Sequence, residues 1–133
     1  MVESEKKIAI FEDYPPTRER IQEVLESAGY SVVVLAIDGV EAHRCIDQLE
    51  ELDVRAVLVD DNLSDCDYSD DDGKWIVADI KKKAPSVATI AFSRHESGIE
   101  GADYNAPKAR FMSEYDELDS RLLEVLKEIF AKK

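Results

Sequence analysis

The sequence predicts an α/β protein built on a doubly wound parallel sheet. Short apolar, β-branched runs alternate along the chain with segments whose apolar residues recur at i, i+3, i+4 and i+7. Strands of that kind, each separated from the next by a helix, imply a parallel sheet covered on both faces. Right-handed crossovers then place helices on the two sides of the sheet. With 133 residues, the chain is expected to be one domain over residues 1–133, since domains cluster near about 100–150 residues.

The elements follow in order. "KKIAIFED" (6–13) reads as a buried strand ending in two carboxylates. "PPTRERIQEVLESAGY" reads as a helix opened by Pro16 or Thr17, with Ile21, Val24, Leu25 and Ala28 on its apolar stripe and Gly29 closing it. "SVVVLA" (31–36) is a second strand. "DGVEAHRCIDQLEEL" (38–52) is a second helix, with Asp38 as N-cap and Ala42, Cys45, Ile46 and Leu49 on one face. "VRAVLVD" (54–60) is a third strand. "GKWIVADIKKKA" (73–84) is a third helix that buries Ile76, Ile80 and Ala84 and is stopped by Pro85. "VATIAFS" (87–93) is a fourth strand, and "ADYNAP" (102–107) holds a short fifth. "SEYDELDSRLLEVLKEIFAKK" (113–133) closes the chain as a helix, with Ser113 as N-cap, Asp116 at the capping-box position, and Leu118, Leu122, Val125 and Ile129 facing inward.

Composition narrows the function. Hydrophobic residues make up 44% of the chain, enough for a core. The formal net charge is −13, from 17 basic and 30 acidic side chains, which opposes direct binding to nucleic acid or to an anionic membrane. Lys81–Lys83 and Lys132–Lys133 read as solvated helix ends. No apolar run approaches the roughly 18 residues that span a bilayer. No secretory h-region is seen at the start, so a cytoplasmic location is the expectation. Cys45 and Cys66 are too few and wrongly spaced for a disulfide framework or a CxxC site. Cys45 reads as a core filler and Cys66 as exposed.

In doubly wound sheets, ligands bind beyond the carboxyl ends of the strands. Glu12 and Asp13 stand at the end of the first strand, Asp60 at the end of the third, Ser93 at the end of the fourth, and Lys108 just after the fifth. Carboxylates gathered at one edge repel one another, and a hard divalent cation such as Mg²⁺ relieves that conflict. A carboxylate also serves as a nucleophile that forms an aspartyl phosphate, with the metal neutralising charge on the transferred group. An amine and a hydroxyl supply donors to the remaining phosphoryl oxygens. The set is chemically complete for phosphorylation of an aspartate.

These residues, in this order, resemble the receiver domain of two-component response regulators over about Lys6 to Phe130. The likeness rests on five pieces in register: the first strand and helix with the acidic pair, "AIDGVEA", "AVLVDDNLS", "TIAFS" and "GADYNAPK". It implies a flavodoxin-like (βα)5 three-layer sandwich with strand order 2-1-3-4-5. It implies that Asp60 accepts a phosphoryl group from a histidine kinase or phosphotransfer protein. Asp13, Asp60 and the backbone carbonyl of Asn62 would ligate Mg²⁺, and Glu12 would act mostly through water. Ser93 and Lys108 would contact the phosphoryl group, while Asn62 and His95 would set its rate of hydrolysis. Such a protein is not an enzyme in the usual sense, since it catalyses only its own phosphorylation and dephosphorylation. With no output domain expected after the last helix, its signal would leave through contact with a downstream protein that the sequence does not name.

Three departures from the family pattern are visible. Only seven residues separate Ser93 from Gly101, room for a turn where a fourth helix is usual. The acidic loop 65–72 is longer than usual. The switch aromatic, normally three residues before the lysine, is replaced by Asn105 with Tyr104 beside it, and proline precedes Lys108 instead of following it.

Each site residue also has a plain reading. Alone, Asp60 is a turn residue, Glu12-Asp13 a helix-capping pair, Ser93 a strand-end hydroxyl and Lys108 a surface lysine; their joint register favours the functional reading. His43 reads as structural or exposed, Trp75 as packing at a helix start, and Tyr104 as divided between core and switch. Between Asp60 and Asp72 stand seven aspartates, but an EF-hand fails: Gly73 at loop position six puts Tyr68 at position one. Two other classes compete. A pseudo-receiver would keep the fold as an interaction module without phosphorylation. An enzyme or cofactor binder is disfavoured, because "EDYPPT" follows the first strand where a Gly-rich phosphate loop would stand.

Overall fold

The computed structural model describes residues 6–12, 14–37, 39–60, 72–93, 99, 101–107 and 115–131. The elements run β1 (Lys7–Phe11), α1 (Pro15–Ser27), β2 (Ser31–Ala36), α2 (Gly39–Ile46), β3 (Ala56–Asp60), α3 (Asp72–Lys83), β4 (Ala88–Ser93), β5 (Tyr104–Pro107) and α4 (Tyr115–Ala131). All strand pairs are parallel and the sheet order is β2-β1-β3-β4-β5. This is the doubly wound architecture that the alternating pattern implies.

Alternation along the strands divides the core into two layers. Ala9, Phe11, Val57 and Val59 point to one face, where α2, the turn after it and α3 supply Ala42, Ile46, Leu49, Ile76, Val77 and Ile80. Ile8, Ile10, Ala56, Leu58 and Ile90 point to the other, where α1 and α4 supply Ile21, Leu25, Leu122, Leu126 and Ile129. Each large aliphatic side chain fully removed from water contributes about 1.5–3 kcal/mol. The last turn of α4 is pinned further: the Phe130 ring lies 5.4 Å from that of Tyr30, and the Arg55 guanidinium sits 5.1 Å over it.

Helix ends explain most shifts from the sequence expectation. α1 begins at Pro15, one residue earlier than expected, because proline suits the first turn, where its missing N–H has no intrahelical acceptor. It ends in a Schellman motif: Tyr30 N–H donates to the Leu25 carbonyl at 3.0 Å and Gly29 N–H to that of Glu26 at 3.1 Å, with Gly29 at φ +96°. Ala28, expected on the buried stripe, is exposed because it lies at that exit, and Val24 is only half-buried.

α2 ends at Ile46, not Leu52. Just beyond it two bonds run to the third residue back, Gln48 N–H to Cys45 and Leu49 N–H to Ile46, a tighter winding than the α-helix, before Leu52 N–H returns to the fourth, Gln48. The segment still closes with a Schellman pair, Val54 N–H to Leu49 and Asp53 N–H to Glu50, with Asp53 at φ +60°. Aspartate is one of the few residues besides glycine that enters that region readily.

The expected caps Asp38 and Ser113 lie outside the described residues, as do Cys66, residues 61–71 of the acidic stretch and Lys132–Lys133. So does the expected turn between Ser93 and Gly101, apart from Ile99, which is buried. Of the inward face expected for the last helix, Leu122 and Ile129 are buried and Val125 is half-buried; Leu126 is buried as well, and the side chains of Asp116 and Leu118 lie outside the description. Cys45 packs half-buried against the first core layer. Burial pushes its thiol up, with the Glu41 carboxylate adding to the effect, which suits an unreactive filler. Trp75 does not pack: it is 66% exposed, because the inward positions of α3 are already taken by Ile76, Val77 and Ile80.

On β2, a register shift against Ile8 and Ala9 leaves Val33 without a partner on β1 and exposed. A bulge on an apolar edge strand discourages edge-to-edge pairing.

At the other side of the sheet, Asp103 ties β5 to β4 and α3. Its carboxylate accepts from Thr89 N–H at 2.9 Å, from Thr89 Oγ1 at 3.1 Å and from Lys81 Nζ at 2.6 Å. Its own N–H donates back to Thr89 Oγ1 at 3.0 Å. Burial would raise its pKa, but the bonds from Lys81 and Thr89 outweigh that and hold the carboxyl below its usual value. Thr89 is fully buried, so Asp103→Ala is expected to cost about 1–3 kcal/mol in urea unfolding, the penalty for leaving buried donors unmade. Because the folded pKa is depressed, this ionic contribution is present above the unfolded value near about 3.9 and lost as pH falls through the folded one. Asp103→Asn should therefore flatten the acid limb of the stability–pH curve.

Candidate functional site at the carboxyl edge of the sheet

Strand register fixes what meets at the carboxyl edge. Phe11 pairs with Val59, Val59 with Ala91, and Ala91 with Asn105, one row across four strands. One step further, Glu12 and Asp60 stand side by side at the ends of β1 and β3. Neighbouring strands lie roughly 5 Å apart. Ser93 ends β4 opposite Pro107. The backbone thus brings Glu12, Asp60 and Ser93 to one edge, beside the end of β5. Asp13, Asn62, His95 and Lys108, the other residues expected there, lie outside the described residues.

β3 is buried along its whole length, AVLVD, and Asp60 itself is only 4% exposed. The apolar run holds the strand in the sheet centre, and the carboxylate is carried to the edge as its last residue. Asp60 continues the alternation of Ala56 and Leu58, the residues that face α1 and α4.

Glu12 is fully buried. Its N–H donates to the Ala36 carbonyl at 3.0 Å, which extends the β1–β2 ladder past Phe11. Its Oε2 accepts from Tyr14 N–H at 3.1 Å, and its carbonyl accepts from Arg18 at 3.2 Å. Tyr14 is the N-cap of α1 and makes no side-chain cap bond of its own. Glu12 therefore holds the entrance to the helix through two separate groups.

Two carboxylates almost removed from water on adjacent strand ends are costly unless their charge is compensated. Oxygen donors of this kind suit a hard divalent cation. Glu12 and Asp60 thus fit the acidic part of an Mg²⁺ site. Among the described residues no group of three or more His, Cys, Asp or Glu side chains is gathered, and Asp13 is not one of those residues.

The remaining candidates have structural places. Tyr104 is half-buried against the second core layer, and Asn105 is exposed. His43 lies at the surface, its Nδ1 3.1 Å from Asp79 Oδ2 on α3. Sequence reasoning missed the coupling of Glu12 to Tyr14, for which a carboxylate three residues before the first proline of a helix is the available signal. It also missed the Asp103–Thr89 pairing, which has no local signature because its partners lie on separate strands.

No protein-family model and no curated protein sequence matches the chain. Solved structures do. The response regulator domain of Thermotoga maritima CheB matches with a TM-score of 0.77 at 19% identity, over 98% of this chain and 99% of that one. A CheY-like receiver domain from Methanospirillum hungatei matches with a TM-score of 0.72 at 21% identity, over 98% and 100%. The response regulator TrrA from Thermotoga maritima, solved in complex with Mg(2+)-BeF, matches with a TM-score of 0.65 at 22% identity, over 88% and 98%. What is shared at these identities is the fold: this chain has the architecture of receiver domains.

Glu12→Ala removes the acceptor of Tyr14 N–H, while Glu12→Gln retains one. Amide exchange at Tyr14 is expected to speed up about fivefold in the alanine variant, from the loss of roughly 1 kcal/mol of hydrogen bonding, and to change little in the glutamine variant. Exchange read residue by residue by NMR checks this.

Proposed function

We propose that this chain is a receiver domain of two-component signalling, phosphorylated on Asp60 in an Mg²⁺-dependent reaction. The observation that carries the proposal is Asp60 itself, a nearly buried carboxylate at the end of the central strand β3, beside the buried Glu12, within the receiver architecture.

Asp60 is the nucleophile. One carboxylate oxygen attacks the phosphorus of a phosphohistidine on a histidine kinase or phosphotransfer protein. The new O–P bond forms as the P–N bond breaks, and the electron pair stays on the imidazole nitrogen. Glu12 holds the entrance of α1 and adds negative charge for the cation. Asp13, Asp60 and the carbonyl of Asn62 would hold the cation, and Ser93 and Lys108 would contact the phosphoryl oxygens. When bound, Mg²⁺ supplies charge neutralisation at the transferred group. The protein catalyses only its own phosphorylation and dephosphorylation, and it signals from the cytoplasm by protein–protein contact. No helix among the described residues is long and apolar enough to cross a membrane.

Incubation with acetyl phosphate and Mg²⁺ is expected to add the mass of one phosphoryl group, seen by intact-mass spectrometry. The gain should vanish in Asp60→Asn and without Mg²⁺. A labelled Asp60→Asn protein would sink the assignment. If the wild type takes no label from acetyl phosphate or from a phosphorylated phosphotransfer protein, and binds no Mg²⁺, the chain is an unphosphorylated interaction module on the same fold.

A further inference from the structure

The outer face of α3 carries a feature that the phosphoacceptor site does not use. Trp75, the single tryptophan of the chain, is 66% exposed. Ala78 and Lys82 are exposed with it. Positions 75, 78 and 82 follow a three-then-four spacing, the seam by which one helix receives another. Positions 76, 77, 80 and 84 are buried on the opposite side, so the seam points straight out.

Charge on this face is inverted relative to the molecule. α3 carries four lysines against Asp72 and Asp79, the largest excess of bases over acids of any described helix. Two of the acids at this helix, Asp79 and Asp103, each have a basic side chain within reach. Asp79 lies 3.1 Å from His43 and 3.6 Å from Lys83, and Asp103 lies 2.6 Å from Lys81. The face therefore presents an aromatic anchor and a small residue within a basic rim, on a chain of net charge −13.

We propose that the Trp75–Ala78–Lys82 seam of α3 docks an acidic amphipathic helix of a partner protein. The heptad-like spacing specifies a helix. The rim specifies its sign, because cross-interface charges select complementary partners. Exposed tryptophan is the residue type that most often anchors such contacts. Nucleic acid is disfavoured because thirteen net negative charges repel its backbone. Two α3 helices packed face to face would set lysines against lysines. The inference does not depend on phosphorylation of Asp60.

Trp75 is its own reporter. The probe is a synthetic helical peptide with leucines on one stripe and glutamates flanking it, together with a twin carrying lysines in place of the glutamates. The glutamate peptide is expected to shift Trp75 emission to the blue with saturation. Its binding should weaken as salt rises and fall at least roughly tenfold in Lys82→Glu. Trp75→Phe and Trp75→Ala, followed by calorimetry, should lose affinity in that order. Circular dichroism on each variant separates loss of binding from loss of fold. The proposal is overturned if neither peptide shifts the emission, if both bind alike, if a duplex DNA oligonucleotide binds as well, or if the protein alone shows a concentration-dependent shift.

Discussion

β3 constrains everything around it. Its five residues are buried on both faces and it pairs with β1 on one side and β4 on the other. Buried main-chain groups must be hydrogen-bonded, and in a parallel sheet that requirement is met only with both neighbours in register. Register therefore cannot slip without leaving the centre of the core unpaired. The same ladder that satisfies Val57 to Val59 brings Asp60 to the sheet edge, level with Glu12. The position of the carboxylate follows from the burial of the strand that precedes it.

Three acids, Glu12 and Asp60 buried and Asp103 nearer the surface, show how differently a fold uses one functional group. Asp103 accepts bonds from a hydroxyl, a backbone N–H and an ammonium, so its charge is answered locally and it works as a strut between β4, β5 and α3. Glu12 gives one carboxylate oxygen to the N–H of Tyr14 and its carbonyl to Arg18, both at the start of α1. Asp60 stands beside it on the next strand. Two acids placed level on adjacent strands lose stability through mutual repulsion and desolvation. On the reading proposed above, a cation brought to the edge where doubly wound proteins bind ligands answers that charge.

Much of this was legible in the sequence because the signals are local. β2 occupies the six residues that its β-branched run marks. Pro15-Pro16 and Gly29 bracket α1 to within a residue, since each acts through its own backbone. The end of β3 at Asp60 is legible from the apolar run before it. Other features were not legible, because they depend on partners distant in sequence. The helical pattern continues past Ile46, yet the chain tightens there, and Asp53 takes a left-handed conformation with no glycine to announce it. Trp75 has the composition of a core residue, and only the packing of α3 shows that its neighbours fill the core first.

The distribution of charge adds a final constraint. An excess of acids keeps copies apart at long range, and salt screens that repulsion beyond about 8 Å at physiological ionic strength. Within that distance local composition decides. The carboxyl edge holds Glu12 and Asp60, and the sequence places further aspartates after Asp60, so cations and basic surfaces are favoured there. α3 begins from that acidic stretch and ends at Lys81–Lys83. The helix that follows β3 thus runs, along the sequence, from an acidic start to a basic end.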